Sequence, residues 1–308
     1  MLFTRLVSRT AFSFFINVKY LSSGSYPCHV EELKDRAILR VSGCDASQFL
    51  QGLVTNDVRV LDTGAKNCIY TMFLNIKGRV LYDTLIYKDC NQGYLIECDQ
   101  TCIQDLLKHI KMYKLRKNVV LELDLETRIR VIFGSVAHID LTTGLLSQDP
   151  RHTDLGHRYL SDANVSTCCQ PVNGLYKEKR FKLGIAEGVN EISKGEMFPL
   201  EMNLDYLDGV SFNKGCYLGQ EVTSRTKHTG VVRKRLMPLE FLGNVKPRLE
   251  IKENEEGKRE KTIGKIKAVY GTLGLGLVRL VETTSPAFKA AGIVVKRPTW
   301  WPEQNGKT

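Results

Sequence analysis

The first half of the chain alternates between short apolar runs and segments with apolar residues at helical spacing. Four apolar runs predict buried strands: 37–41, 68–74, 79–87 and 94–98. Two segments have the spacing of amphipathic helices: 45–57, which Asp45 opens as a cap, and 101–115. Apolar and charged residues then alternate in two further predicted strands: 121–126 and 128–133. This order predicts an α+β fold with antiparallel strand pairing.

The second half has a different pattern. Residues 135–171 are polar and irregular, and 172–184 resumes as a predicted helix. Four short strand-like segments without intervening helices follow: 236–242, 245–251, 261–270 and 275–281. Such a series predicts a small β-barrel or sandwich, which places a domain boundary near 236–238.

The N-terminal segment has no acidic residue before Glu31. It contains Arg5, Arg9 and Lys19 among apolar and hydroxyl residues, as a mitochondrial presequence does. A secretory signal would keep its apolar run uninterrupted, whereas Arg9 breaks the run here. We therefore expect a transit peptide over 1–28 and a location in the mitochondrial matrix.

The whole chain of 308 residues has a formal net charge of +10. Its most concentrated basic cluster lies at the end of the second predicted helix: Lys108, Lys111, Lys114, Arg116 and Lys117. The helix dipole favours cations in a last turn, and no nucleic-acid-binding motif accompanies them. We expect a solvated face and no nucleic-acid partner. No apolar run reaches the roughly 18 residues that a membrane span needs.

The cysteines are odd in number and include no C-x-x-C pair. The nine lie at 28, 44, 68, 90, 98, 102, 168, 169 and 216. A secreted disulfide framework is usually short and even-numbered, so reduced thiols are expected. Most of them lie in apolar segments and are expected to be small core residues.

The segment 199–235 concentrates charged residues around Cys216. Lys214 and Gly215 would place a cation and bare backbone beside the thiol, which favours the thiolate form. If a helix covers 217–225, its N-terminal dipole adds to this effect. The thiolate is the form that binds metals or attacks electrophiles. From composition alone, a reactive thiol and a buried structural cysteine remain equally open.

The motif K-G-C-Y-L-G-Q-E at 214–221, continued by Thr223 and Arg225, resembles the signature of the YgfZ family. These are folate-binding, GcvT-like proteins. The branch of mitochondrial iron–sulfur cluster assembly factors is the most similar. Other segments that resemble the family are 49–57, the hairpin 74–79 with Asp83, the loop 199–203 and the stretch 264–280.

The resemblance implies a GcvT-like architecture. Two interwoven ferredoxin-like α+β subdomains and a small C-terminal β-barrel would surround a central channel. The expected division is a folate-binding, aminomethyltransferase-like region over 29–236 and a barrel over 237–308. The chain is expected to be monomeric alone.

The resemblance also implies two sets of site residues. Cys216 would be the thiolate and cluster ligand. Its supporting residues would be Lys214, Gly215, Tyr217, Gly219, Gln220, Glu221 and Arg225. A tetrahydrofolate site would use Glu201 for the pterin ring, with further residues Asn203, Arg180, Asn75, Lys77, Arg79 and Asp83. The related transferases have an Asp pair where this chain has Tyr82-Asp83, which argues against aminomethyl transfer.

The leading expectation is an assembly factor for 4Fe–4S proteins, more a non-catalytic factor than an enzyme. One thiolate is short of the four ligands that such clusters commonly need, so a partner would supply the rest of a transiently shared cluster. A-type cluster carriers are the expected partners. The alternative is a tetrahydrofolate-dependent one-carbon transferase. An RNA-associated role is a third hypothesis.

Overall fold

The computed structural model describes residues 28–89, 93–136, 144–162, 169–243, 249–253 and 260–303. The strands in these ranges are β1 His29–Glu32, β2 Arg36–Ser42, β3 Cys68–Leu74, β4 Val80–Lys88, β5 Tyr94–Asp99, β6 Val120–Asp124, β7 Arg128–Phe133, β8 Leu145–Gln148, β9 His157–Ser161, β10 Gln170–Pro171, β11 Lys234–Phe241, β12 Glu250–Glu253, β13 Lys261–Tyr270, β14 Leu273–Arg279 and β15 Ile293–Val295. The α-helices are α1 Ala46–Gln51, α2 Arg59–Asp62, α3 Ile103–Lys114, α4 Leu175–Leu183, α5 Gln220–Thr229 and α6 Pro286–Ala290.

The strands form three five-stranded sheets. The first has the order β3-β4-β5-β2-β6, the second β10-β1-β7-β9-β8 and the third β12-β13-β14-β11-β15. The described part of the chain begins in the second sheet with β1, forms the whole first sheet, and returns to pair β7 beside β1. The chain segments that form the first and second sheets are therefore interwoven in sequence. Strand pairs are antiparallel except β1 with β10, which confirms the predicted α+β class and antiparallel pairing.

The first sheet is covered on both faces. Alternate residues of β3 point to opposite sides, so Ile69 and Phe73 pack into one core while Tyr70 and Met72 pack into another. Phe49 of α1 lies in the Phe73 core, together with buried residues of α3. This two-sided burial explains why β3 reads as an apolar run rather than an alternating pattern.

Most predicted elements are present with shifted ends. The predicted helix 101–115 is α3, and the predicted helix 172–184 is the shorter α4. The first predicted helix was too long, because α1 ends at Gln51 and a turn separates it from α2. Of the predicted strand 245–251, residues 245–248 lie outside the described ranges, and β12 begins at Glu250.

The irregular stretch predicted over 135–171 is wrong in its described part. It contains β8, β9 and β10, which complete the second sheet. β9 has the sequence HRYLS, in which Arg158 is completely buried. Because this buried arginine interrupts the apolar pattern, hydrophobic periodicity alone does not reveal the strand.

The expectation that all cysteines are reduced is corrected at one pair. Cys28 and Cys169 form a disulfide beside the start of the β1–β10 pairing. The described free cysteines divide into buried Cys68, Cys98 and Cys102, as expected for core residues, and two exposed ones, Cys44 and Cys216. Cys90 and Cys168 lie outside the described residues.

Candidate functional site

The loop before α5 presents Cys216 at the surface and is attached to the segment after α1. The Cys216 side chain is exposed. On its C-terminal side, the Leu218 amide donates to the carbonyl of Gly52 at 3.0 Å. On its N-terminal side, the Ser211 amide donates to the Thr55 carbonyl at 3.1 Å. The thiol therefore lies on a loop that backbone hydrogen bonds hold at both ends.

Thr55 and Asn56 fix the start of this loop with their side chains. The Thr55 hydroxyl donates to the Gly209 carbonyl at 2.7 Å. The buried Asn56 amide donates to the carbonyls of Tyr70 and Asp208, at 2.9 and 2.6 Å. Sequence reasoning identified these residues as a helix end and family motif but missed their role as clamps, because the acceptors lie far along the chain.

Lys214 anchors the loop from inside. Its Nζ donates to the carbonyls of Val54 and Asn56, at 2.6 and 2.8 Å, and lies 4.9 Å from the centre of the Tyr217 ring. Burial of the ammonium lowers the pKa of Lys214 to about 7. The expected electrostatic support of Cys216 by this cation remains a prediction, whereas the observed contacts give Lys214 a positioning role.

The loop packs against the β3–β4 hairpin through two glycines. A Cβ on Gly219 would lie 2.3 Å from the Asn75 carbonyl oxygen, and one on Gly78 would lie 2.8 Å from the Gly219 carbonyl oxygen. Both glycines have positive φ, 77° and 75°. The Asn75 side chain shapes the turn by accepting from the amides of Lys77 and Arg79, at 2.9 and 3.0 Å. Two motifs distant in sequence therefore interlock here.

Gly215 differs from Gly219 although both belong to the same motif. A Cβ on Gly215 would meet nothing within 4 Å, and its φ lies outside the positive range. No steric requirement for glycine therefore exists beside Cys216. Both the space beside Gly215 and the Cys216 side chain are open to solvent.

The predicted helix start at Tyr217 is wrong. α5 begins at Gln220, so Cys216 lies outside the helix and upstream of its first turn. The predicted effect of the helix dipole on Cys216 therefore loses its basis, since that effect is confined to the first turn. The Gln220 side chain instead holds the turn by accepting from the Tyr217 amide at 3.2 Å. Glu221 and Arg225 are exposed on α5.

Tyr217 forms the inner wall of the site. The Tyr217 side chain, next in sequence to the exposed Cys216, is buried against the Lys214 ammonium, and burial raises its pKa to about 12. The phenol therefore stays protonated at physiological pH. It supplies packing rather than an ionisable group.

A cavity of about 280 Å³ lies behind α5, between the loop 198–201 and residues 231–234. Glu201 is on its wall, and its Oε2 accepts from the Phe198 amide at 3.0 Å. Val222 and Thr223 of α5 form the opposite wall. The cavity therefore shares a helix with the Cys216 motif.

Asn203 does not line this cavity. It is completely buried with φ 61°, and its Nδ2 donates to the Leu236 carbonyl at 2.8 Å. Its Oδ1 accepts from Arg235 at 3.2 Å. These contacts attach the loop 199–203 to the third sheet, which gives Asn203 a structural role in this arrangement.

Arg79 and Lys77 lie on the hairpin side of the site. The Arg79 guanidinium is 4.5 Å from the centre of the Phe198 ring and donates to the Glu196 carbonyl. Lys77 is exposed at the hairpin turn. Of these two cations, only Arg79 is held close to the cavity wall.

Asp83 and Arg180 are buried away from the cavity wall. Asp83 Oδ1 accepts from the Gly188 amide at 3.1 Å, its Oδ2 is 3.7 Å from Arg36, and burial raises its pKa. Arg180 donates to both carboxylate oxygens of Glu191, at 2.6 and 3.0 Å. An arginine that is paired in this way is not available for a folate tail.

Asp83 and Arg180 belong to a buried network of charges between the first two sheets. Its members are Arg36, Arg151, Arg158, Arg180, Asp83, Glu97, Asp149, Glu187 and Glu191. Glu187 is at its centre: burial opposes its charge, but the surrounding arginines hold its pKa well below the ordinary range. The sequence analysis missed this network, because its members are single charged residues scattered over 150 positions.

The described residues contain neither a cluster of metal-ligand side chains nor a helix that could span a membrane. No group of three or more His, Cys, Asp or Glu side chains lies close enough to hold a metal ion in that part of the chain. No helix there is long and apolar enough to cross a membrane.

Two family models match the chain. The GCVT N-terminal domain matches residues 30–142, and the C-terminal beta-barrel domain of CAF17 matches residues 233–303. Among solved structures, glycine cleavage system aminomethyltransferase T from Bartonella henselae has a TM-score of 0.63 at 12% identity. That likeness covers 84% of this chain and 80% of the other, and it shows a GcvT-like fold.

Curated relatives extend over most of the chain. The mitochondrial iron–sulfur cluster assembly factor IBA57 of Mus musculus is 36% identical, over 88% of this chain and 84% of its own length. The Homo sapiens protein of the same name is 33% identical over the same shares. The homologue from Pyricularia oryzae is 36% identical over 85% of this chain and 75% of its own length. The resemblance expected from the motifs is thus confirmed, and the chain belongs to the family of IBA57 mitochondrial iron–sulfur cluster assembly factors.

Proposed function

We propose that this protein assists the assembly of iron–sulfur clusters for 4Fe–4S proteins in the mitochondrial matrix, with Cys216 as its cluster ligand. The observation that carries the proposal is the exposed Cys216 thiol on a loop that is held by two distant segments, the one after α1 and the β3–β4 hairpin. A ligand that is shared between two proteins must be accessible to the second protein. It must also be held in place, because a flexible ligand loses more entropy when it binds.

The cluster in this proposal is cargo that two proteins share. Iron–sulfur clusters are commonly held by four cysteine thiolates, and Cys216 supplies one of them. On ligation, the thiol loses its proton to solvent and the sulfur bonds to iron. A partner that already carries a cluster, such as an A-type carrier, would supply the remaining ligands. The open space at Gly215 leaves room for that partner beside the thiol.

The test is the anaerobic absorption spectrum of the protein mixed with a cluster-loaded A-type carrier. Cys216→Ser should abolish the chromophore that belongs to the complex. Cys44→Ser is the matched control, because Cys44 is the other exposed free cysteine among the described residues. A chromophore that persists in Cys216→Ser, or that disappears in Cys44→Ser alone, would contradict the proposal.

The activity of 4Fe–4S enzymes in mitochondria tests the same assignment in cells. Replacement of the endogenous protein by Cys216→Ser should lower these activities, while Cys44→Ser should sustain them. Unchanged activities with Cys216→Ser would show that the thiol is dispensable for maturation.

A second candidate function is supported by the cavity at Glu201. A carboxylate can accept two parallel N–H bonds from the edge of a pterin ring. The volume of about 280 Å³ is close to the lower end of small-molecule sites and suits a pterin head. Arg233 and Lys234 line the same cavity and could pair with the anionic tail, a role for which the buried Arg180 is unavailable.

Binding of folate and one-carbon transfer are separate questions. Asp83, which matches half of the Asp pair in the transferases, faces Arg36 and Gly188 in the buried network. This position argues against a direct role for Asp83 at the cavity. We therefore infer that any tetrahydrofolate bound here serves the assembly factor rather than aminomethyl transfer.

Calorimetry with tetrahydrofolate tests the cavity. Glu201→Ala should abolish binding. Glu240→Ala, a carboxylate on the third sheet that pairs with Lys296, should leave it unchanged. Equal heats for the wild type and Glu201→Ala would remove the pterin assignment.

A further inference from the structure

The C-terminal end of α3 carries exposed apolar residues among cations. This α3 patch consists of Lys108, Lys111, Met112, Lys114, Leu115, Arg116 and Lys117. The side chains of Met112 and Leu115 are 66% and 86% exposed. A helix dipole accounts for cations in a last turn, but it gives no reason for two large apolar side chains in solvent.

The exposed members share one side of the helix. Lys108, Lys111, Met112 and Leu115 are spaced by three or four positions, which places them next to one another on the surface. The opposite side of α3, represented by Ile110, is buried in the core under the first sheet. The patch is therefore not part of the packing that holds α3 in place.

Leu115 ends the helix in an unusual conformation. Its φ of 45° and ψ of −119° lie outside both the right-handed and the left-handed helical regions, where glycine is the residue without a steric penalty. A leucine there carries a conformational cost, and its exposed side chain returns no packing energy within the chain. A contact outside the chain would use this residue.

Among the described residues, Lys108 is the only cation of the patch with an ion-pair partner. Asp105 pairs with Lys194 at 2.8 Å and reaches Lys108 only at 4.0 Å. Asp45 lies close to Lys114, Arg116 and Lys117, and its carboxylate accepts from the amide of Asn118 at 2.7 Å. In the part of the chain that the structure describes, the other cations of the patch form no ion pair: Lys111, Lys114, Arg116 and Lys117.

We propose that the α3 patch binds the surface of a bilayer that contains anionic lipids. The cations would lie at the level of the lipid phosphates, while Met112 and Leu115 would enter the boundary of the acyl chains. RNA fits less well, because a phosphate backbone offers no apolar layer for these two side chains. The binding would be peripheral and reversible.

The fold sets the orientation of the protein on such a surface. The β3–β4 hairpin turn, against which Gly219 packs, is at one end of the first sheet. α3 ends at the opposite edge of this sheet, because it leads directly into β6, whose first residue Val120 pairs with Ser42 at the end of β2. The connection from α3 to β6 is in close contact with β2 there, since a Cβ on Gly43 would lie 2.3 Å from the Asn118 carbonyl oxygen. A chain bound through the α3 patch would therefore hold the Cys216 loop on the side away from the lipid.

The test is co-sedimentation with phosphatidylcholine vesicles that contain or lack 20% cardiolipin, at physiological salt. The full chain is used, and Arg5, Arg9 and Lys19 are replaced by Gln in every variant so that the N-terminal cations do not contribute. We expect binding to the cardiolipin vesicles and little to pure phosphatidylcholine. Absence of binding to both would overturn the proposal.

Charge variants show whether the patch is the binding surface. Each cation near an anionic surface contributes about a fivefold factor in affinity, so Lys111→Gln with Arg116→Gln should weaken binding about 30-fold. The matched control is Lys34→Gln with Lys289→Gln, two exposed lysines outside the patch. Equal weakening by both pairs would show that only net charge matters, which contradicts a specific surface.

Apolar variants separate a bilayer from a nucleic acid or an acidic protein. Met112→Ser with Leu115→Ser leaves the charge unchanged and should weaken vesicle binding at least about tenfold, because the exposed apolar area is lost. Leu242→Ser with Val281→Ser, two residues that are 52% and 84% exposed elsewhere, is the control. Unchanged vesicle binding in the α3 variant, or tighter binding of the parent to RNA than to vesicles, would overturn the bilayer assignment.

Discussion

Gly219→Ala is expected to separate the Cys216 loop from the β3–β4 hairpin. The added Cβ would lie 2.3 Å from the Asn75 carbonyl oxygen and 3.1 Å from the Gly78 Cα, both of them backbone atoms that no rotamer change can move. Alanine at φ 77° costs about 1–2 kcal/mol, and the overpacking adds about 1–3 kcal/mol. We therefore expect a loss of about 2–5 kcal/mol in the free energy of unfolding, concentrated at this contact.

Thermal denaturation measures this loss, and Gly215→Ala is the control within the same motif. At about 2–4 °C per kcal/mol, Gly219→Ala should lower Tm by roughly 4–20 °C. Gly215 has open space around it and no positive φ, so Gly215→Ala should keep Tm unchanged or raise it slightly. If both variants have the same Tm as the wild type, the contact between the loop and the hairpin does not stabilise the protein. Equal destabilisation by both would show that the motif itself, rather than the contact with Asn75, requires glycine.

Three further predictions concern buried charge and the disulfide. Arg158→Met should lower the free energy of unfolding by about 3–5 kcal/mol, because it leaves buried carboxylates without a compensating charge. Arg59→Met, which removes an exposed ion pair, should lower it by less than about 1 kcal/mol. Urea denaturation measures the free energy of unfolding of both variants. The pKa of Lys214 is about 7 in the folded protein, which is below its value in the unfolded chain, so the cost of burying the ammonium is full below pH 7 and falls as the pH rises. The stability of the wild type relative to Lys214→Met should therefore rise by about 1.4 kcal/mol per pH unit from pH 8 to 9.5. A stability difference that does not change with pH would contradict this prediction. Reduction of the Cys28–Cys169 disulfide should cost about 2–4 kcal/mol in the same urea assay, and the double Ser variant should not respond to the reductant.

The parts of the fold that the sequence predicts are those with an uninterrupted pattern. α3 has a regular apolar face, and β3 is a continuous apolar run, so both were predicted almost to their ends. β9 was missed because Arg158 and His157 break its pattern, and only the partners of Arg158 in other elements make its burial acceptable. Charge compensation over long sequence distances is a tertiary property that periodicity does not contain.

The candidate site, like the fold, is predicted only in part by the sequence. The motif at 214–221 identified Cys216, and its exposure agrees with a ligand role. The motif did not predict that Lys214 turns inward to two carbonyls, or that α5 begins only at Gln220. Both depend on where the segment after α1 lies in space, because that segment supplies the acceptors for Lys214 and for the Leu218 amide.

The buried charged groups of this protein and its exposed Cys216 thiol are accessible to solvent to very different degrees. Buried carboxyl groups with shifted pKa values, such as Asp83 and Glu187, are in a network that is closed to solvent and paired internally. A catalytic acid or base has to reach its substrate, and these groups face each other instead. Cys216, in contrast, is open to solvent while its loop is tied at both ends to elements far away in sequence. The fold thus holds one accessible thiol in a defined position, which is what the proposed sharing of a cluster ligand with a partner requires.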